Sequence, residues 1–249
     1  MQILELYLDE LLNAARFSDY CPNGMQVLGR KQIKRVMTGV SGSQELIKAA
    51  VSWQADLILV HHGILWDKDP RVVRGSYKKR LQLLLTYDLN LMAYHLPLDA
   101  HPKLGNNAQI LEKLQLIQDQ PFGLYRGHPL SFVGRAEQPI LINDFFKRVT
   151  KCFGGKPLIL PFGPKKIQRV AVCSGGAPEL IREARECGAD LFLTGEASEF
   201  VYHYAKEEKI NFIAAGHHRT ETLGVQAVGQ VLQETFGLTH RFYNIPNPI

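Results

Sequence analysis

The sequence predicts an α/β fold built from two units that arose by internal duplication, each with a mostly parallel, mixed sheet flanked by helices. Two observations predict it. Residues 35–62 align with residues 169–196 without a gap and with eleven identities in 28 positions. The pattern Ala-x-His-x-x-x-acid then occurs at residues 93–99 and again at 215–221, after the longer match in both copies. Similarity that continues in the same order indicates a duplicated structural unit.

The N-terminal residues 1–12 predict an amphipathic helix, because Leu4, Leu8 and Leu11 recur at helical spacing among acidic residues. The acidic residues exclude a secretory signal peptide, which has a basic start and an unbroken apolar stretch.

Each copy of the repeat predicts a strand, a turn containing Gly or Ser, an amphipathic helix and a second, buried strand. The predicted strands are residues 35–40 and 56–60 in the first copy, and residues 169–173 and 190–194 in the second. Strand, helix, strand in this order is a βαβ crossover, which places its two strands parallel in one sheet. A further apolar strand follows in each copy, at residues 89–93 and 210–214.

The residues between the copies, 118–164, are rich in Pro, Gly and aromatic side chains, and we interpret them as a connecting region with one helix at residues 142–152. Two turns, at residues 39–42 and 174–176, contain glycines that could contact a phosphate, although such glycines more often only let the chain turn.

Composition limits the class of protein. A chain of 249 residues with 45% hydrophobic and 21% charged residues is expected to be a soluble globular protein with a substantial core. A net charge of +5 with scattered Lys and Arg favours solvated surface over a nucleic-acid interface. Four cysteines without a C-x-x-C pair indicate free thiols in a reducing cytoplasm. No apolar stretch approaches the ~18 residues of a membrane span.

Histidines and acids follow the predicted strands of both copies. His61 and His62 end one strand, His95 and Asp99 follow another, and His217 and Glu221 follow a third. Functional groups gather at the carboxyl ends of parallel strands, where loops and helix N-termini converge. Successive side chains of a strand point in opposite directions, so adjacent histidines are expected to hold two neighbouring ions better than one.

A carboxylate can bridge two ions, and Asp99 or Glu221 could supply it. A mixed His and carboxylate set suits Zn²⁺, Fe²⁺ or Mn²⁺. His95 and His101 lie beside Asp99 in the sequence, where orienting a ligand from the second layer and direct ligation are both open. Isolated histidines such as His128, His203 and His240 are assigned no role.

At these residues the chain resembles a known family, the dinuclear-metal proteins called GTP cyclohydrolase 1 type 2 homologues, of the bacterial YbgI type. The similarity runs almost end to end. It is carried by the motifs Ser18-Asp19-Tyr20-Cys21-Pro22-Asn23-Gly24-Met25-Gln26-Val27, Val60-His61-His62-Gly63, residues 95–102, Leu104-Gly105-Asn106-Asn107, Thr194-Gly195-Glu196, residues 214–221 and the terminal Ile245-Pro246-Asn247-Pro248.

The resemblance implies that two divalent metal ions are bound per subunit, with Glu221 as the bridge. It assigns one ion to His61, Asp99 and Glu221, and the other to His62, His217 and Glu221. It further implies two intertwined domains, residues 1–124 with 222–249 and residues 125–221, and a ring-shaped homohexamer, a trimer of dimers, whose sites face an internal cavity.

The expected chemistry is metal-assisted hydrolysis, in which two ions lower the pKa of a bound water towards neutrality. In the reaction that the family name implies, hydroxide adds to C8 of the guanine of GTP, the imidazole ring opens and formate is released. Glu196 is a candidate proton shuttle, while a structural acid or a substrate hydrogen-bond acceptor would give the same pattern. Two alternatives stay open: a metal-binding scaffold without turnover, and a hydrolase of phosphoesters or damaged nucleotides.

Overall fold

The computed structural model describes residues 1–249 and has the predicted mixed α/β architecture, with two sheets flanked by helices. The strands are β1 (Gly24–Val27), β2 (Arg35–Ser41), β3 (Leu57–His62), β4 (Asn90–Ala93), β5 (Ile117–Tyr125), β6 (His128–Leu141), β7 (Leu158–Pro161), β8 (Lys166–Val172), β9 (Leu191–Thr194), β10 (Asn211–Ala214) and β11 (Thr239–Phe242). The helices are α1 (Gln2–Leu11), α2 (Gln44–Ser52), α3 (Gly75–Thr86), α4 (Leu96–Ala100), α5 (Asn106–Lys113), α6 (Ile142–Phe153), α7 (Ile181–Glu186), α8 (Phe200–Glu207), α9 (His217–Thr220) and α10 (Thr222–Phe236). None of these helices combines the length and the apolar character needed to cross a membrane.

The chain divides into two compact units. Unit 1 comprises residues 1–98 and 224–246, and its five-stranded sheet has the order β1-β4-β3-β2-β11. Strands β4, β3, β2 and β11 are parallel, and β1 is antiparallel to β4. Side chains of β2, β3 and β4 form a buried apolar core with helices α2 and α3, as expected for a parallel sheet covered by its crossover helices.

Unit 2 comprises residues 99–223 and 247–249, and its six-stranded sheet has the order β5-β6-β8-β9-β10-β7. Strands β8, β9 and β10 are parallel and the other pairings are antiparallel. Alternate residues of the central strands face opposite sides. Val170 and Val172 belong to a core with α5 and α6, while Ala171 and Cys173 belong to a core with α7 and α8.

The duplication is present in the strand register. Val36 pairs with Leu57 in unit 1, and the residues 134 positions later, Val170 and Leu191, pair in unit 2. The neighbouring order β1-β4-β3-β2 is repeated as β7-β10-β9-β8, and the strands run in the same relative directions. Strand β7 begins 134 residues after β1, so the structural repeat extends further towards the N-terminus than the sequence match did.

A buried asparagine shows the same repeat at the level of hydrogen bonds. Asn90 opens β4, and its side chain bonds to Gly29 N, Arg30 O and Asp56 O at 2.9 Å each. Asn211 opens β10 and bonds in the same way to the corresponding backbone atoms of residues 163, 164 and 190. In each unit the asparagine thus joins the start of an inner strand to two other segments, the one that follows the antiparallel edge strand and the one that precedes the neighbouring parallel strand.

Two sequence-based interpretations need correction. The region 118–164 is not merely a connector with one helix, because most of β5 and all of β6 and β7 lie within it and form half of the second sheet. Residues 99–124 were assigned to the first domain, whereas α5 packs on β6 and β5 pairs with β6, which places this stretch in unit 2. The long β5–β6 hairpin was missed because its Pro and Gly residues read as loop.

Candidate metal-binding residues

The predicted metal-binding histidines of unit 1 lie together at the carboxyl end of the parallel strands. His61 and His62 end β3, and His95 follows β4. Their candidate ligand nitrogens all lie within 4.8 Å of one another. His61 and His95 are buried and His62 is half-buried.

The rings of His61 and His62 do not diverge as strand alternation predicted. Their centroids are 4.7 Å apart and their planes are inclined by 42°. The alternation rule applies inside a strand, but β3 ends at His62, where Ser41 Oγ lies 3.1 Å from His62 Nδ1. The pair is therefore also able to contribute to a common ion.

Hydrogen bonds fix which nitrogen of each ring can bind a metal. Tyr94 O lies 3.0 Å from His61 Nδ1, and Asp19 Oδ1 lies 3.0 Å from His95 Nδ1. A carbonyl and a carboxylate are acceptors, so each Nδ1 carries the proton and each Nε2 carries the lone pair. Metal-binding histidines in proteins have this arrangement, with the second nitrogen donating to a carbonyl or carboxylate.

Asp19 is a site residue that the sequence analysis did not single out. Besides His95, its carboxylate accepts hydrogen bonds from Asn23 Nδ2 and Leu96 N, both at 3.0 Å. Burial alone would raise the pKa of Asp19. The hydrogen bond from His95 lowers it most, followed by the electrostatic attraction of His95, and the resulting pKa is about 2. Its only sequence signal was its position inside the motif 18–27, which carries the family resemblance.

Cys21 belongs to the same neighbourhood, with its sulfur within 4.8 Å of ligand atoms of Asp19 and His95. Burial, followed by the negative charge of Asp19, raises the pKa of the Cys21 thiol well above its ordinary value. In the metal-free chain the Cys21 thiol is therefore uncharged, and it is buried beside Asp19 and His95.

In unit 2, His217 and Glu221 form a close pair one helical turn apart. His217 Nε2 lies 3.1 Å from Glu221 Oε1, and Glu221 is buried with 3% exposure. The other ring nitrogen, Nδ1, lies 2.5 Å from Glu196 Oε1. Burial lowers the pKa of His217, but the two carboxylates outweigh it and raise the pKa to about 9.

The separation between His217 Nε2 and Glu221 Oε1 suits two donors of one ion. Metal bonds of ~2.0–2.2 Å at near-tetrahedral angles place two ligand atoms roughly 3.3 Å apart. A proton bound between these atoms thus occupies the place that a cation would take.

Two glycines make room for this pair. Gly175 has φ +67°, and a Cβ there would lie 2.4 Å from Glu221 Oε1. A Cβ at Gly195 would lie 2.6 Å from His217 Cα. Gly195 corresponds to His61 in the repeat, so the backbone of His217 explains why the second copy cannot carry a side chain there.

Asp99 is buried in unit 2 and accepts two hydrogen bonds at Oδ1, from Asn106 Nδ2 at 2.9 Å and from Ser174 Oγ at 3.1 Å. Both donors are neutral groups, and a carboxylate is a ligand that divalent ions accept, so Asp99 has the chemistry of the predicted ligand.

His101 has a local role in the structure. Its Nδ1 accepts hydrogen bonds from the backbone N–H groups of Lys103 and Leu104, at 3.2 and 2.9 Å. These bonds place Nδ1 against its own turn, and the predicted role of His101 beside the ligands stays a prediction.

The glycine turn of residues 174–176 is occupied by internal hydrogen bonds. Gly175 N donates to Thr220 Oγ1 at 3.0 Å, and Ser174 N donates to Asn107 Oδ1 at 2.7 Å. The turn therefore serves the packing of unit 2, which is the more ordinary of the two predicted readings.

Comparisons with known proteins agree on one family. The sequence profile described as Duf34/NIF3 (NGG1p interacting factor 3) matches residues 1–248. A Pseudomonas aeruginosa protein named GTP cyclohydrolase 1 type 2 homolog is 46% identical over 242 residues, covering 96% of this chain and 95% of its own length. A Yersinia pestis protein of the same name is 47% identical over 251 residues and 98% of both chains.

Solved structures give the same result. The protein ybgI, described as of unknown function, superposes with a TM-score of 0.95 at 41% identity and covers 100% of this chain and 99% of its own. A Thermus thermophilus protein superposes with a TM-score of 0.91 at 33% identity and the same coverage.

Proposed function

The chain belongs to the Duf34/NIF3 family, and from this membership we propose that it is a dinuclear metal-dependent hydrolase that acts on a nucleotide or a related heterocycle. The relatives' name, GTP cyclohydrolase 1 type 2 homolog, is the reason to place GTP first among the substrates to test.

One observation carries the proposal of metal binding. His61 and His217, one proposed ligand for each ion, face a carbonyl and a carboxylate acceptor with Nδ1. Nε2 is then the nitrogen that would bind an ion, and in His217 the ion would displace the proton held there beside Glu221. A histidine with a purely structural role needs only its hydrogen bond. It has no need of other histidines or carboxylates beside its second nitrogen.

We assign the ions as the family resemblance does. His61, Asp99 and Glu221 hold one ion, and His62, His217 and Glu221 hold the other, with Glu221 as the bridge. The donor set of imidazoles and carboxylates fits Zn²⁺, Fe²⁺ or Mn²⁺. His95 stays outside this set and supports the ligands through its contact with Asp19 and its packing against His61.

Two such ions supply an acidified water and a Lewis acid for an electrophilic substrate. The residues of the chain contribute orientation and proton placement. Glu196 accepts the Nδ1 proton of His217 and holds the ring so that Nε2 faces Glu221. We therefore favour Glu196 as a positioning residue, since a proton shuttle would have to give up this contact in each cycle.

The test is reconstitution followed by an open screen. The protein is loaded with Zn²⁺, Fe²⁺ or Mn²⁺ and incubated with GTP and other nucleotides, and formate, phosphate and free base are measured together. We expect formate from GTP, with loss of turnover and of metal in Glu221→Ala. The control is His203→Ala, because His203 is two-thirds exposed and contacts the exposed Glu199 and the ring of the neighbouring Tyr202.

Each other outcome points to a stated alternative. Turnover that survives Glu221→Ala after confirmed loss of metal would exclude the metal-dependent mechanism. Release of phosphate or base without formate would favour a hydrolase of phosphoesters or damaged nucleotides. Stoichiometric metal without turnover on any nucleotide would favour a binding scaffold.

We further propose that the protein is a homohexamer, a trimer of dimers, as the resemblance implies, and that it is located in the cytoplasm. Four free cysteines are compatible with a reducing compartment.

A further inference from the structure

Two partly exposed aromatic rings lie next to the histidines of unit 1. Tyr20 and Trp66 have ring centroids 5.7 Å apart and planes inclined by only 30°. Tyr20 is 40% exposed and Trp66 is half-buried. We call this pair the aromatic platform.

The aromatic platform is in contact with the histidine cluster. His95 meets both rings edge-on, at 5.0 Å from Tyr20 and 5.5 Å from Trp66, with planes inclined by 75° and 82°. The ring of His62 lies 5.9 Å from Trp66. The aromatic platform therefore borders the proposed ligand His62.

Hydrogen bonds of the backbone join the two segments that carry these rings. Asp67 N donates to Tyr20 O at 3.0 Å, which joins the segment of Trp66 to that of Tyr20. Tyr20 N donates to Asp19 Oδ1 at 2.7 Å, the same carboxylate oxygen that holds His95. Ile64 N donates to Gln26 Oε1 at 2.8 Å and ties the two segments a second time.

Prearranged aromatic faces favour ligands with a π-face of their own. Stacking of a base on an aromatic side chain changes affinity by about tenfold or more and tolerates different bases. Binding to rings that are already fixed loses little side-chain entropy. A phosphate offers no such face to the surface.

We propose that the aromatic platform is the stacking subsite for the heterocyclic ring of the substrate, which it holds beside His62 and His95. The inference rests on the proposed function, since it gives that reaction a substrate with a planar heteroaromatic ring. It assigns Tyr20 and Trp66 to binding and leaves the chemistry to the metal-binding residues.

The test uses the fluorescence of Trp66. The chain has two tryptophans, Trp53 and Trp66. Trp53 lies beyond the other end of the sheet, at the end of α2 with Arg35 and Arg241 near its ring. Metal-loaded Trp53→Phe protein therefore reports on Trp66 alone, and metal-loaded Trp66→Phe protein is the matched control.

Guanosine is titrated into both proteins, with inorganic triphosphate as the probe for phosphate binding, and affinity is measured independently by equilibrium dialysis. We expect guanosine to quench Trp66 with saturation and to leave Trp53 unaffected, and triphosphate to quench neither. Tyr20→Leu should weaken guanosine binding about tenfold, while Tyr20→Phe, which keeps the ring, should stay within about twofold. Metal content should not change in either variant.

Four results would overturn the inference: no guanosine binding, equal affinity in Tyr20→Leu, quenching by triphosphate alone, or loss of metal in Tyr20→Leu, which would make Tyr20 structural. Turnover is measured on the same proteins. Guanosine binding without turnover would refute the hydrolase and keep the subsite, whereas turnover with unchanged KM in Tyr20→Leu would refute the subsite and keep the hydrolase.

Discussion

At the residue scale, the hydrogen-bond acceptors beside the imidazole rings determine which ring nitrogen can bind a metal ion. A carbonyl holds His61, and carboxylates hold His95 and His217, each at Nδ1. The sequence placed these histidines at strand ends but could not supply their acceptors. Asp19 lies 76 residues from His95, and no local pattern joins them.

Glu196→Gln tests the acceptor of His217. With a pKa of about 9, metal-free His217 is protonated at pH 7, so a metal must displace its proton and metal affinity should rise with pH up to about 9. Glutamine removes the Glu196 charge, which lowers the pKa of His217, so metal affinity should depend less on pH in this variant. At pH ~10, where little proton competition remains, affinity measured by chelator competition should fall about 10- to 100-fold. Glu199→Gln is the control, since Glu199 is 89% exposed; equal pH profiles for the two variants would refute the role of Glu196.

Asp19→Asn tests the acceptor of His95 through stability. The pKa of Asp19 falls from 3.8 to about 2 on folding, so its carboxylate stabilises the fold above pH ~4, and this contribution is lost as the pH falls towards 2. Urea unfolding should show a loss of about 2 kcal/mol at pH 7 that shrinks below pH ~4. Asp144→Asn, at an exposed ion pair, should cost under ~0.5 kcal/mol. A loss for Asp19→Asn that does not depend on pH would contradict this account.

Gly175→Ala tests the space beside Glu221. Gly175 and Gly188 both have positive φ, +67° and +73°, but a Cβ at Gly188 meets nothing within 4 Å. Both alanine variants should lose about 1 kcal/mol from backbone strain. Only Gly175→Ala should also weaken metal binding, because its methyl group displaces the Glu221 carboxylate. Equal metal affinity in the two variants would show that Glu221 does not depend on this space.

At the element scale, the repeated unit is a four-stranded module, β1-β4-β3-β2 in one copy and β7-β10-β9-β8 in the other. The parallel strands β2, β3, β4, β8, β9 and β10 and the helices α2 and α7 were predictable, since buried apolar runs and helical periodicity are local signals. Strands β1, β7 and β11 were not, because they lie at the sheet edges, are less buried and pair with strands far along the chain.

Asn90→Ala and Asn211→Ala test whether both modules are stabilised by the same three hydrogen bonds of a buried asparagine. Each asparagine is itself buried and makes three hydrogen bonds with backbone groups, so each substitution should cost about 2–4 kcal/mol in urea unfolding. Gln118→Ala, at an exposed strand position, should stay within ~0.5 kcal/mol. A cost of Asn90→Ala or Asn211→Ala as small as that of the control would remove the proposed anchor from that module.

At the scale of the whole molecule, the division into units places the proposed ligands in both copies of the duplication. Unit 1 contributes His61 and His62, and unit 2 contributes Asp99, His217 and Glu221. The copies have diverged at the strand end where His61-His62 corresponds to Gly195-Glu196. Where the first copy has the proposed ligand His62, the second copy has Glu196, which accepts a hydrogen bond from the proposed ligand His217.

The proposed assembly has a direct measurement. Sedimentation equilibrium should give a particle of six 28.1 kDa chains at micromolar concentration. A monomer or an isolated dimer would contradict the homohexamer without affecting the metal assignment.

The central claim is that one chain binds two metal ions through these five residues. The most direct measurement is metal content per chain by mass spectrometry after reconstitution with Zn²⁺, Fe²⁺ or Mn²⁺ and desalting, for the wild type, Glu221→Ala and the His203→Ala control. We predict two ions per chain in the wild type and in His203→Ala, and fewer than one in Glu221→Ala, because the bridge serves both ions. One ion or none in the wild type, or two ions retained in Glu221→Ala, would contradict the account.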